Sequence, residues 1–144
     1  MAETKRKRTR KKSDIQIFLS RGKRKRAIAR VTIKTKGKGN IMINGLDWRV
    51  YFESKFDQMY LQNIFDRVAK MLKNLDIDVN VSGGGKIGQL QAVATGIARG
   101  LVQIDPELKR TVFDSSILKE DIRRVEPKKD RRRKARAKFQ KSYR

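Results

Sequence analysis

The chain has no cysteine and no histidine, and only two prolines among its 144 residues. These absences exclude disulfides, thiolate or imidazole metal sites and histidine-based catalytic triads. Acidic residues are also scarce, because 15 Asp and Glu stand against 38 Lys and Arg, for a net charge of +23. No apolar run approaches the roughly 18 residues of a membrane span, and the N-terminus lacks the apolar core of a signal peptide. We therefore expect no metal, no cofactor and no membrane contact, and a polyanionic partner.

The positive charge is concentrated at the two ends of the chain. Residues 1–26 carry +10 and residues 128–144 carry +9, so the residues between them carry only +4. Blocks of like charge repel and stay extended until a polyanion neutralises them. We predict a basic disordered arm over residues 1–13, a globular α+β domain over 14–127, and an extended basic tail over 128–144.

The predicted centre of the domain is a strand, a glycine turn and a helix. Residues 77–82 alternate apolar and polar side chains, as a half-buried strand does. After Gly83, Gly84 and Gly85, apolar residues recur at steps of three and four, which is typical of one face of a helix. These residues are Ile87, Leu90, Ala94, Ile97, Leu101 and Ile104.

The glycines also match the spacing of a dinucleotide-binding motif. Gly83, Gly85 and Gly88 spell G-x-G-x-x-G between the strand and the helix. A dinucleotide fold needs several parallel strands with crossover helices, and no strand clearly follows this helix. Two interpretations stay open: a tight turn with close strand–helix packing, or backbone amides that contact a nucleic-acid phosphate beside Lys86.

Upstream, the pattern predicts a strand over residues 14–19, a basic run over 21–26 with a bend at Gly22, and a strand over 27–34. A turn over residues 36–40 suggests that residues 41–43 return as the hairpin partner of that strand.

Two helices are predicted on either side of the centre, over about 58–74 and over Leu108 to about Ser115. Between the hairpin and the first helix stand Trp48, Tyr51 and Phe52. Clustered aromatics either close a core edge or stack on bases, and we favour the core. In the tail, Phe139 and Tyr143 interleave with cations, a pattern that suits phosphate neutralisation and base stacking.

Seven segments together match the pattern of a known family, in the order of that family. They are 22–25, 29–31, 43–45, 81–85, 89–99, 124–129 and 139–144. On these segments the sequence resembles the family of the ninth protein of the small ribosomal subunit. The resemblance covers residues 14–144 and leaves residues 1–13 outside. The final residues resemble the archaeal and eukaryotic branch, although residues 130–134 replace a glycine-containing stretch typical of that branch.

The resemblance implies an α+β domain of the ribosomal protein S-five domain-two type, in the head of the small ribosomal subunit. It also implies a C-terminal tail that reaches P-site tRNA, and neighbouring head proteins as partners. On this basis we expect a cytoplasmic structural protein, not an enzyme, with no small-molecule substrate.

The predicted contacts fall into two groups. Predicted ribosomal RNA contacts are Lys23, Arg24, Lys25, Arg26, Arg30, Lys36, Lys38, Lys86, Arg99, Arg123, Arg124, Lys128, Lys129, Arg131, Arg132, Arg133, Lys134, Arg136 and Lys138. Predicted tRNA contacts are Lys141, Ser142, Tyr143 and Arg144. Two other classes of function remain as alternatives: a free nucleoid or chromatin binder that uses the same charge, and a nucleotide-dependent enzyme.

Overall fold

Alternation of apolar and polar residues along the strands separates the two faces of a five-stranded sheet. The structure is a computed structural model that describes residues 15–140 and 142. The strands are β1 (Ile17–Arg24), β2 (Ala27–Thr35), β3 (Ile41–Ile43), β4 (Leu46–Asp47) and β5 (Leu75–Ser82). The helices are α1 (Trp48–Tyr51), α2 (Lys55–Arg67), α3 (Ala69–Leu72), α4 (Lys86–Ile104), α5 (Leu108–Thr111) and α6 (Ser115–Leu118). The predicted α+β class is confirmed.

The strands lie in the order β1-β2-β5-β3-β4. All neighbours are antiparallel except β3 and β5, which are parallel. The predicted pairing of residues 41–43 with the strand over 27–34 is therefore wrong. In the structure β5 lies between them, and Ile41 and Ile43 align with Ile77 and Val79. This register places four apolar side chains on the same buried face.

One hairpin of this sheet lies instead between β1 and β2, and a short second hairpin joins β3 to β4. A two-residue turn, Lys25 and Arg26, joins β1 to β2, and Lys25 has a positive φ of 53°. The basic run was predicted to be separate from the first strand, with a bend at Gly22. In the structure residues 21–24 continue β1, and Gly22 is paired with Ala29. The cations of this strand thus belong to the sheet.

The longest helix, α4, packs across β1 and β2 at very short range. Gly22 on β1 faces Ala92 and Gly96 on α4, so that a methyl group on Gly22 would lie 1.9 Å from the Ala92 carbonyl oxygen. The Ser20 hydroxyl donates a hydrogen bond to the Gly96 carbonyl at 2.7 Å. This contact brings the start of α4 beside the β1–β2 turn.

The remaining helices complete the same layer. The helix predicted over 58–74 is divided at Val68, whose φ of −122° interrupts it, and the helix predicted over 108–115 ends at Thr111. Trp48 and Phe52 are buried, and Trp48 packs edge-to-face on Phe65 at 5.3 Å between ring centroids. For these two aromatics the core interpretation is correct. No helix in the described part of the chain is long and apolar enough to cross a membrane.

The opposite face of the sheet carries no helix among the described residues. Its side chains alternate with the core residues along β1, β2 and β5, and they are exposed or half-exposed. The large apolar ones are Ile17, Leu19, Ile28 and Met42.

Candidate nucleic-acid interface

The glycine turn after β5 is built for close backbone packing. Gly83 and Gly84 have φ values of 73° and 70°, which favour glycine. A methyl group on Gly84 would lie 2.8 Å from the Ala27 nitrogen, so the turn lies directly on the β1–β2 hairpin. The side-chain amide of Gln89 donates to the Gly83 carbonyl at 3.2 Å and closes the turn.

Helix α4 begins at this turn with its first backbone amides uncapped by a side chain. Its N-cap is Gly85, which has no capping side chain, and its first turn contains no acid. The ammonium of Lys86 lies 5.1 Å from the centre of the Tyr51 ring, and the Tyr51 hydroxyl donates to Gln89 at 2.8 Å. The N-terminal end of a helix carries partial positive charge, which here adds to that of the lysine.

Five cations from three distant parts of the chain meet at this helix end. They line a cavity of about 530 Å³ together with Gly84, Gly85, Ile87, Gly88 and Val125. We call it the cationic cavity. Its cations are Arg24, Lys25, Arg26, Lys86 and Arg124, all of them among the predicted RNA contacts.

The dinucleotide interpretation of the glycines does not fit this architecture. The sheet contains one parallel pair, β3 with β5, and no strand follows α4 in the described residues. A dinucleotide site needs a second parallel strand carrying a ribose-binding acid after the helix. The glycines instead allow close packing and leave backbone amides facing a cluster of cations.

Two acids hold the segment after α6 against the end of β1. Glu120 contacts Arg99 and lies 3.5 Å from Arg21, and Asp121 contacts Arg24. Asp121 also forms a parallel β-bridge with Arg24. We call Glu120 and Asp121 the acidic clip. It places Arg124 in the cationic cavity and engages Arg24 and Arg99 within the protein.

Asp121 also binds the guanidinium that follows it. Arg123 donates from Nε and Nη2 at 3.0 and 2.8 Å. These bonds, followed by one from the Arg123 backbone amide, hold the pKa of Asp121 well below its usual range. The sequence signal for the clip is a pair of adjacent acids in an otherwise basic C-terminal region, and neither acid is among the predicted contacts.

Asp121→Asn is expected to lower thermal stability at neutral pH. Because the pKa of Asp121 is lower in the folded protein than in the unfolded chain, the ionised Asp121 stabilises the fold above the ordinary carboxyl pKa of about 3.9. This stabilisation is lost as the pH falls through the lower pKa of the folded protein. The difference in melting temperature between wild type and variant should therefore shrink on acidification, as scanning calorimetry between pH 7 and pH 2 would show.

Glu126→Gln is the matched control, because in the described part of the chain Glu126 pairs with Arg136 and with no side chain of a helix or strand. A pH-independent difference for Asp121→Asn, or an equal effect of Glu126→Gln, would contradict the role of the clip.

Beyond the clip, the described residues 122–140 contain no helix or strand. The segment is not fully extended, because Glu126 pairs with Arg136, whose Nε donates to the carboxylate at 2.7 Å. The Arg133 amide donates to the Ala137 carbonyl at 3.1 Å. We call residues 126–136 the tail loop.

The tail presents most of its cations to solvent. Its exposed cations include Lys128, Lys129, Arg131, Arg133, Lys134 and Lys138, whereas Arg132 is half-buried. Phe139 is also exposed, and so is Ser142. The predicted tRNA contacts Lys141, Tyr143 and Arg144, like the arm over residues 1–13, lie outside the described residues.

The other predicted contacts lie away from the cationic cavity. Lys23 and Arg30 lie on β1 and β2. Lys36 and Lys38 lie in the loop after β2, at the other end of the sheet, where the Lys38 amide donates to Asp76 at 2.8 Å. Within the described residues no group of Asp and Glu side chains is arranged to hold a metal ion.

Comparison with known proteins identifies the family. The family model for ribosomal protein S9/S16 matches residues 22–144. The chain belongs to the ribosomal protein S9/S16 family. The match includes the β1–β2 turn, the glycine turn, the acidic clip and the tail, and so covers every part of the cationic cavity.

Three bacterial relatives, each named small ribosomal subunit protein uS9, agree with this assignment. The protein of Cytophaga hutchinsonii is 41% identical over 130 residues, 90% of this chain and 100% of its own. That of Maridesulfovibrio salexigens is 44% identical over 123 residues, 85% of this chain and 93% of its own. That of Phocaeicola vulgatus is 39% identical over 130 residues, 90% of this chain and all of its own.

The family confirms the resemblance drawn from the sequence. Ribosomal protein S9/S16 family members are structural components, so the chain is not an enzyme. The assignment to the archaeal and eukaryotic branch, drawn from the final residues, stays a prediction beside these bacterial relatives. The individual RNA and tRNA contacts also stay predictions.

Proposed function

We propose that this protein is a structural constituent of the small ribosomal subunit in the cytoplasm, and that it binds ribosomal RNA in the head of that subunit. The observation that carries the proposal is the cationic cavity, where five cations from three parts of the chain surround a glycine turn and a helix start. Phosphates are the groups that such cations and backbone amides bind. The names of the uS9 relatives support the same partner.

The tail continues this interface away from the body. Its exposed cations follow directly on Arg124, which the acidic clip holds at the cavity. Because the tail carries these cations directly after a site that can bind phosphate, it can bind successive phosphates along one RNA backbone. We propose that its last four residues, 141–144, contact P-site tRNA, and that neighbouring head proteins contact the body. The resemblance of residues 139–144 to the end of the small-subunit ribosomal protein family supports the tRNA contact.

Removing three cations from the cavity is expected to weaken RNA binding in a salt-dependent way. In the combined variant Lys25→Ala, Lys86→Ala and Arg124→Ala, each lost phosphate contact should flatten the plot of log affinity against log salt by about 0.7–0.9 units. Losing three phosphate contacts should flatten this slope by about 2–2.7 units, which is an upper bound because folded RNA limits the release of counterions. The measurement is filter binding to a ribosomal RNA fragment from the subunit head, across a salt series.

The matched control removes three exposed cations from the helical layer, with Lys55→Ala, Lys70→Ala and Lys109→Ala. This variant has the same net charge and should keep a steeper slope. Equal slopes for the two variants would contradict the cavity as the RNA contact. Sedimentation of the tagged protein tests the wider proposal, because recovery with DNA and not with small subunits would favour a nucleoid binder.

A further inference from the structure

Two large apolar side chains line the cationic cavity beside its five cations. Ile87 comes from the first turn of α4, and Val125 comes from the segment after the acidic clip. Ile87 is 68% exposed and Val125 is 90% exposed, so neither side chain packs into the core of the domain. Because a phosphate gains nothing from an aliphatic side chain, phosphate binding alone leaves both of them without a contact.

The charged side chains that line the cavity are all cations. No Asp or Glu is among the described residues that line it. The acids closest in sequence to the lining residues are Asp121, which pairs with Arg24 and Arg123, and Glu126, which pairs with Arg136. Both carboxylates are therefore already engaged by guanidinium groups. The cavity keeps its positive charge and attracts an anionic ligand.

The cavity also offers hydrogen-bond donors that have no acceptor in the protein. Among the described residues, the backbone amides of residues 86–88 donate no hydrogen bond. The first amide of α4 with a backbone partner is that of Gln89, which donates to the Gly85 carbonyl at 2.9 Å. Three of the five cations also lack a side-chain partner within the described residues. They are Lys25, Arg26 and Arg124.

One unpaired nucleotide carries both kinds of group that this lining can bind. Its phosphate suits the amides and the cations. The flat face of its base suits aliphatic side chains and the plane of an arginine. A paired stretch of RNA presents its phosphates but not its base faces, because the bases are stacked inside the helix. The volume of the cavity, about 530 Å³, lies within the range of about 300–1,000 Å³ found for pockets that hold small organic ligands.

We propose that the cationic cavity takes up one unpaired nucleotide from a bulge or loop of its RNA partner. The phosphate binds the amides of residues 86–88 and the Lys86 ammonium. The base packs against Ile87 and Val125, and the Arg124 guanidinium stacks on it. The acidic clip contributes indirectly, because it brings Arg124 and Val125 to the cavity. This inference rests on the proposed function, since it requires that the cavity binds RNA, and it adds which kind of nucleotide the cavity selects.

Two RNA hairpins test this with the full-length protein, one with a single bulged nucleotide and one that is identical but lacks the bulge. We expect the bulged hairpin to bind about 10-fold more tightly in filter binding, because contact with the base buries apolar surface of two side chains. The bulged base is 2-aminopurine, whose fluorescence rises when it leaves the stack of its neighbours. Its fluorescence should rise on binding, whereas 2-aminopurine placed in a base pair of the same hairpin should show no rise.

A double substitution tests whether the apolar side chains cause the preference. Ile87→Ser combined with Val125→Ser should abolish the preference for the bulged hairpin. The matched control, Val50→Ser combined with Met59→Ser, removes two exposed apolar side chains outside the cavity and should keep the preference. Circular dichroism melting of both variants establishes whether the domain remains folded. If the cavity variant does not fold, the affinity ratio and the fluorescence of the unsubstituted protein decide.

Four results would overturn the inference and leave the proposed function standing, provided that the ribosomal RNA fragment from the subunit head still binds in a salt-dependent way. They are equal affinity for the two hairpins, no rise in fluorescence on binding, a preference that survives the substitutions in the folded cavity variant, and a preference lost equally in the control variant. Failure of the ribosomal RNA fragment to bind would instead overturn the proposed function, and the inference with it.

Discussion

Gly22→Ala is expected to lower the free energy of unfolding by about 3 kcal/mol, at the upper end of the usual range for overpacking. The added methyl would lie 1.9 Å from the Ala92 carbonyl oxygen and 2.5 Å from the Gly96 nitrogen. Both are backbone atoms of α4, so no side chain can rotate to make room. Relief requires α4 to move away from β1. The measurement is urea unfolding followed by circular dichroism.

Gly85→Ala is the matched control for this prediction. A methyl group there meets no atom within 4 Å, and the φ of −108° is open to any residue. This variant should unfold within about 1 kcal/mol of wild type, since Gly and Ala differ by no more than that in most backbone settings. If Gly22→Ala matched it, the close crossing of α4 over β1 would be wrong.

The same substitution should also weaken RNA binding in whatever fraction stays folded. Moving α4 away from β1 separates Lys86 from Arg24, Lys25 and Arg26, because Lys86 lies on α4 and the other three lie at the end of β1 and in the turn that follows it. The affinity of the folded fraction for ribosomal RNA should fall, as filter binding across a salt series would show. The crossing therefore supports both the fold and the proposed interface.

Deleting residues 141–144 is expected to spare assembly into the small subunit and to weaken P-site tRNA binding. The described core ends well before the tail, so the body does not need these residues to fold. Lys141 and Arg144 each provide one cation for a phosphate. Losing two phosphate contacts should flatten the slope of log affinity against log salt by about 1.4–1.8 units, again an upper bound.

A single change separates the aromatic contribution from the charge. Tyr143→Ala should leave the salt slope unchanged and cost about 1–3 kcal/mol if the ring stacks on a base. Both variants are measured as tRNA affinity of purified small subunits across a salt series. Equal affinity and equal slope for the deletion would contradict the tRNA contact. Exclusion of the truncated protein from subunits would make these residues an assembly element.

Local patterns in the sequence predicted the buried faces well and the pairing of strands less well. Alternation over residues 77–82 and the three-and-four spacing from Leu90 to Ile104 predicted which side chains face the core, because burial depends on local periodicity. The prediction is wrong for Ile87, which lies in the first turn of α4 and is exposed. The partner of residues 41–43 depends on where β5 inserts, and a short apolar strand carries no signal for that. The predicted hairpin was wrong for this reason.

The candidate site was predictable in composition but not in arrangement. Positive charge, the glycine turn and the family resemblance together predicted Arg24 to Arg26, Lys86 and Arg124 as nucleic-acid contacts, and the structure brings those five to one cavity. Their meeting depends on the acidic clip, whose residues Glu120 and Asp121 looked like minor exceptions in a basic region.

The distance to which the tail can extend from the body has two values, one with the tail loop closed and one with it open. Asp121 anchors the C-terminal segment on β1, and 23 residues follow it. Fully extended, they would span at most about 80 Å. While Glu126 holds Arg136, the residues between them add almost nothing to this length, and breaking that ion pair releases about 30 Å of chain. An RNA phosphate that captures Arg136 would therefore lengthen the tether, so the distance to which the C-terminus extends is set by what the tail has already bound.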